Sequence, residues 1–247
     1  AQFGEGVHVE KRERFVAIGA QDEWKDDRTS GEPWVELYVS KDPALAKRAM
    51  SLQADGDPTK NLAEIGALLG YPDCCVQSFL GTDDRSNNTR NRYVIAARTR
   101  SPPPWPWELN DLPCMVVPFF PCRFDCSKAL DWARRTFAEM RKEFPAEVDA
   151  LARVLGEPVL YFDHERQLLL EGGRVVDSES SGIAVEFDAL RLGPDAPADF
   201  ALWASTLSGA TRLWLDDDHL VFEGAGVIHR FRRTDPGLGF VAGFGAR

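Results

Sequence analysis

The sequence predicts an α+β fold: a helical N-terminal part followed by an antiparallel β-sheet part with one helix. Three observations carry that expectation. As far as Leu155, apolar residues recur mostly at helical spacing, with Asp and Pro at the starts of the runs. Beyond Pro158 they fall into short runs divided by acidic or glycine-bearing turns. Gly156-Glu157-Pro158 stops the last helical run and marks the change. The expected organisation is a mainly helical domain over 1–156 and an antiparallel β domain over 157–247. The 247 residues suit one large or two small domains, and an apolar content of 44% can fill a sizeable core.

The N-terminal elements follow in order. Arg14–Ala20 and Trp34–Val39 read as short strands, rich in β-branched and aromatic residues, with a polar loop between them. Asp42-Pro43 caps and opens a helix. A second helix covers about 58–69, where Leu62, Ala63, Ile65, Leu68 and Leu69 recur, and Gly70 ends it. Tyr71-Pro72-Asp73 opens a third helix carrying Cys74, Cys75, Val76, Phe79 and Leu80. Thr89–Arg98 forms a fourth. Proline rigidity makes Ser101–Trp107 extended, and Cys114–Phe120 reads as a strand or extended run. Asp125 or Ser127 caps a long helix from Cys126 to about Phe144. Its inward face holds Leu130, Ala133, Phe137 and Met140, while Lys128, Arg134, Arg135, Arg141 and Lys142 stay in water. Pro145 restarts a helix that runs to Leu155.

In the C-terminal part, Val159–Phe162 and Leu168–Leu170 flank the acidic turn Asp163-His164-Glu165. Val175-Val176, Ile183–Val185, Leu213–Leu215, Leu220–Phe222 and Val227–His229 add strands, and Ala198–Leu207 supplies the helix. Leu160–Gly172 aligns on Leu213–Gly224 with a one-residue gap, so two similar hairpins are expected; any hairpin with an acidic turn would look much the same. The tail, with Gly237, Gly239, Gly243 and Gly245, reads as flexible or tightly turning.

A net charge of −10 argues against nucleic-acid and anionic-membrane partners, which need a positive field, although Arg85, Arg90, Arg92, Arg98 and Arg100 are a local basic concentration. No run approaches the roughly 20 apolar residues that span a bilayer. The opening Ala1-Gln2-Phe3-Gly4-Glu5 has no secretory pattern. The five cysteines are odd in number and confined to one region, unlike a disulfide framework, so a reducing cytoplasm is the expected compartment.

Those cysteines are the strongest functional signal. They stand as Cys74-Cys75, then Cys114, then Cys122-Arg123-Phe124-Asp125-Cys126. Cys74 and Cys75 fall in the first turn of one predicted helix and Cys126 at the start of another, where unpaired N–H groups and the helix dipole favour thiolate. Adjacent helical residues point about 100° apart, which suits two corners of a cluster better than one small ion. Cys122 and Cys126 fit the spacing of zinc ligands, whereas Cys74-Cys75 does not. The leading expectation is an iron–sulfur cluster held by Cys74, Cys75, Cys122 and Cys126, with Cys114 an optional fifth. Zinc, metal-free thiol redox chemistry and simple burial as small apolar side chains stand beside it.

At these residues the chain resembles the family called Domain of Unknown Function 483. Gly70-Tyr71-Pro72-Asp73-Cys74-Cys75, followed by Phe79, matches its first motif, and Pro121-Cys122-Arg123-Phe124-Asp125-Cys126 its second. The likeness covers about 60–135. Phe119 stands where the family pattern has His. The resemblance implies a shared cysteine site and names no activity.

Tyr71, Arg123 and Asp125 are candidates for supporting that site, and Arg85, Arg90, Arg92, Arg98, Arg100 and Arg123 for an anionic substrate or for balancing thiolate charge. Trp105 and Trp107 suit a substrate wall or an apolar cover over the cysteines. His164 and His219, in acidic turns, read as solvated. No phosphate-binding glycine loop, nucleophile elbow or zinc-protease helix motif occurs. The functional expectation is an iron–sulfur enzyme moving sulfur or electrons on a small molecule. The alternative is a non-enzymatic module with a structural zinc or disulfide and a β domain that binds a protein partner.

Overall fold

The computed structural model describes residues 7–18, 24–26, 32–54, 61–82, 88–99, 103–110, 116–179, 182–193, 196–233 and 239–245. Helices and antiparallel sheets both contribute, so the fold class is α+β as the sequence predicts. By contacts the chain forms two compact units, Ala1–Tyr71 and Pro72–Arg247. The change of character at Pro158 lies inside the second.

The first unit holds strands β1 (His8–Ile18), β2 (Trp24–Asp26) and β3 (Glu32–Ser40) in the order β2-β1-β3, with helices α1 (Pro43–Ala54) and α2 (Leu62–Leu68). β1 pairs antiparallel with β3 from His8↔Ser40 to Val16↔Glu32 and so begins six residues before the predicted Arg14. Charges at Glu10, Lys11, Arg12 and Glu13 hid the strand. They are tolerated because Arg12 bonds the Gln53 carbonyl and lies near Glu36, and because Lys11 pairs with Glu13. Asp42 Oδ1 accepts the Ala44 N–H and caps α1, as expected. Gly70, at φ +70°, ends the α2 segment, and the Tyr71 N–H returns to the Gly66 carbonyl.

The second unit opens with α3 (Asp73–Leu80) and α4 (Asn88–Arg98). Strand β4 (Trp105–Pro106) and a single 3-10 turn (Trp107–Leu109) follow, then α5 (Ser127–Glu143) and α6 (Pro145–Leu155). The proline segment therefore turns at Trp107, its predicted last residue. Residues 116–120 are not a strand: Val117–Phe119 is a bend, and Val117 and Phe119 are buried. The apolar run that suggested pairing is used for side-chain packing instead.

The remaining strands are β5 (Val159–Tyr161), β6 (Gln167–Glu171), β7 (Arg174–Glu179), β8 (Gly182–Glu186) and β9 (Ala189–Leu192). After helix α7 (Ala198–Ser205) come β10 (Arg212–Leu215), β11 (His219–Gly224), β12 (Val227–Arg232), β13 (Phe240–Ala242) and β14 (Phe244–Gly245). One sheet has the order β12-β11-β10-β8-β7 and the other β13-β5-β6-β9. Val185, Leu213, Leu215, Leu220 and Phe222 of the first share a core with Leu160, Leu168, Leu170 and Val241 of the second, and with Phe200 of α7.

The two hairpins predicted to be alike share a turn. Asp163 Oδ1 accepts the N–H groups of Glu165 and Arg166, and Asp216 Oδ1 those of Asp218 and His219. They diverge afterwards. β11 continues into β12, whereas the chain after β6 crosses to the other sheet, where β7 pairs with β8. Both hairpin turns use their carboxylates internally, consistent with the solvated reading.

In the glycine tail, Phe240–Ala242 and Phe244–Gly245 are strands, while Gly237 lies outside the described residues. A Cβ on Gly239 would lie 1.4 Å from the Tyr161 carbonyl oxygen, so that glycine permits close backbone approach. β14 pairs in parallel with β4 and brings Phe244 to the helical side of the unit. Among the described residues, no helix is long and apolar enough to cross a membrane.

Candidate metal centre

Three segments of the second unit meet at the cysteines. The first is the N-terminus of α3. Pro72 stands before it in extended conformation, and its carbonyl accepts the N–H groups of Cys75 and Val76, closing the first turn around Cys74-Cys75. The second is the loop through Cys122. The third is the N-terminus of α5, where Cys126 is the N-cap residue.

Between Cys122 and Cys126 the backbone is a turn, closed by the Cys126 N–H bonding to the Arg123 carbonyl. Phe124 anchors it. This side chain is 0% exposed, stacks on Trp105 at 5.5 Å and meets Phe244 edge-on at 5.0 Å. Its N–H bonds to Thr99 Oγ1 at 2.9 Å, which ties the turn to the end of α4. Phe120 stacks on Phe79 of α3 at 5.9 Å, and Phe119 meets Trp132 of α5 edge-on at 5.3 Å. The loop is thus pinned by aromatic packing.

The four sulfurs converge. Cys74 Sγ lies 3.9 Å from Cys75 Sγ and 3.7 Å from Cys126 Sγ, and Cys75 and Cys126 are 3.9 Å apart. With Cys122 included, all four lie within 4.8 Å of one another, close enough to hold one metal ion. The expected 100° divergence of Cys74 and Cys75 does not keep them apart. In a first turn the Cα–Cβ bonds tilt toward the helix start, so neighbouring side chains can close on a point beyond it. All four are free thiols, and none is paired in a disulfide.

Their electrostatics differ. Burial is the main cause that raises Cys75 and that pushes Cys122 up to about 12. Burial also opposes ionisation of Cys126, but the Ala129 N–H and hydrogen bonds from the other three thiols outweigh it and lower that thiol below its usual range. The Cys122 N–H points at Cys75 Sγ from 3.4 Å. A thiol made more acidic at a helix start, beside three others, is a donor set suited to a soft or borderline cation.

Of the supporting residues expected from sequence, Arg123 and Asp125 pair with each other, Nε to Oδ1, at 3.1 Å within the cysteine turn. Tyr71 closes the first unit, immediately before the Pro72 cap. Cys114, Arg85 and Arg100 lie outside the described residues. Arg98 of α4 donates to Ser78 of α3 at 3.3 Å. Trp105 serves as packing for the cysteine turn, and Trp107 packs on Phe137 of α5 at 4.8 Å. Phe119, where the resemblance leads to an expectation of His, is an aromatic filler between the loop and α5. Sequence reasoning missed Thr99, Phe124 and Phe244. Only the central position of Phe124 in the cysteine motif could have drawn attention to it.

The fold and site together define an α+β protein with a four-cysteine centre able to hold a metal. The sequence pattern of the family described as "Protein of unknown function (DUF483)" matches residues 58–152, which bears out the resemblance read from the two motifs. No curated protein and no solved structure gives a match.

Proposed function

We propose that the protein binds one tetrahedral ion, zinc, through Cys74, Cys75, Cys122 and Cys126, and that the ion fastens α3, the cysteine turn and α5 together. The sulfur spacing carries this reading. A tetrahedral ion with metal–sulfur bonds of about 2.3 Å separates its sulfurs by about 3.8 Å. The three edges among Cys74, Cys75 and Cys126 are 3.7, 3.9 and 3.9 Å, and Cys122 brings the whole set within 4.8 Å. An iron–sulfur cluster places several irons and sulfides between its cysteines, and thiolates on different irons stand farther apart than thiolates sharing one ion. Four protein ligands also make a closed site, the arrangement of structural rather than catalytic zinc. Bound zinc would offset part of the charge of four thiolates and cross-link segments distant in sequence.

Metal and acid-labile sulfide analysis of anaerobically purified protein tests the proposal. One zinc per chain, no sulfide and no visible absorption are expected. A brown protein with iron and sulfide would overturn it and restore the cluster reading.

A further inference from the structure

Resting on the single-ion reading, we infer that Cys74 is the reactive thiolate of the centre and that a soft carbon electrophile alkylates the protein there. Once an ion is bound, all four cysteines are thiolates whatever their tendency when free. Four thiolates around a doubly charged cation leave a net charge of about −2 on the sulfurs. Which sulfur attacks then depends on access and on hydrogen bonds that withdraw its charge.

The four differ in both respects. Cys75 is 1% exposed, and its sulfur receives the Cys122 N–H. Cys126 is buried, and its sulfur receives the Ala129 N–H. Cys122 is partly covered. Cys74 is the most exposed, and among the described residues no N–H is directed at its sulfur. The local backbone explains this: the Cys75 and Val76 N–H groups of that turn are already bonded to the Pro72 carbonyl. Cys74 thus combines the most open approach with the least quenched charge, and exposure separates it from Cys122.

In the step itself, a lone pair on Cys74 Sγ forms a sulfur–carbon bond as the carbon–leaving-group bond breaks. The leaving group departs as an anion with that bond's electron pair, and no oxidant or proton is required. The product is a neutral thioether, a weaker ligand than thiolate, so the ion is left with three strong donors. The centre would therefore loosen on alkylation at its most exposed position.

The test treats zinc-loaded protein with limiting iodoacetamide, measures zinc in the same sample, and maps the adducts by peptide mass spectrometry over time. Cys74 should be labelled about tenfold faster than Cys75, Cys122 or Cys126. Zinc should be lost in step with labelling at Cys74, because the thioether formed there is the weaker ligand. Zinc present with Cys122 or Cys126 labelled first, or with all four labelled equally, overturns this inference and leaves the zinc reading standing. Iron and sulfide in place of zinc overturn both.

Discussion

The cysteine corner and the β sandwich of the second unit hold together by different means. In the sandwich, ladder hydrogen bonds join neighbouring strands, and Leu213, Leu220, Phe222 and Leu170 are fully buried between the sheets. Its stability is spread over many contacts. In the corner, an eight-residue helix, an irregular loop and one end of α5 meet at four sulfurs and a few aromatic rings. A helix the length of α3 does not persist alone in water. The sandwich should therefore keep its structure without a ligand, whereas the corner should depend on one.

The largest expected effect is that of metal removal. Structural zinc contributes about 10–16 kcal/mol in zinc-finger peptides, and each kcal/mol moves the melting temperature by about 2–4 °C in a chain of this size. Chelation should lower the melting temperature by more than about 10 °C. Amide exchange should accelerate in 73–80 and 116–126 and stay slow in 213–222; uniform acceleration would show that the two regions form one cooperative whole.

Aromatic truncation comes next. Phe124→Ala and Phe222→Ala should each cost about 3–5 kcal/mol in denaturant unfolding, since both rings are fully buried. Only Phe124→Ala should also weaken metal retention in a chelator competition. Equal retention by the two variants would mean that the aromatic plug does not position the cysteines.

The smallest effect lies in the sandwich turns. Burial tends to raise the Asp163 carboxyl, but the Arg166 and Glu165 N–H groups and the Arg166 guanidinium outweigh it and hold the group below its ordinary 3.8. A carboxyl depressed on folding stabilises above its ordinary range and loses that contribution as pH falls through its folded value. Asp163→Ala should cost about 1 kcal/mol or less at pH 7, because solvent screens the group. The difference from wild type should shrink below about pH 4 and leave metal content unchanged. A gap that persists at pH 2 would assign the effect to packing.

The α+β class, most helix starts and the four converging cysteines were legible in the sequence because each is announced locally. Asp42-Pro43 and Tyr71-Pro72-Asp73 are short-range punctuation, and the cysteines share two compact motifs. What escaped notice depends on distant partners. β1 looks too charged for a strand until β3 and the Gln53 carbonyl are set beside it. The tail glycines suggest looseness until Gly239 meets the Tyr161 backbone. The approach of Cys74 to Cys75 depends on where they sit in a helix, and the count of residues between them does not reveal it.

Phe244 bears on the order of events during synthesis. Its ring completes the packing around Phe124, yet it leaves the ribosome only after the entire sandwich has been made. Until then the thiols await their final brace. Metal capture by the nascent chain would accordingly be reversible at first and become firm when the C-terminal strand docks beside Trp105.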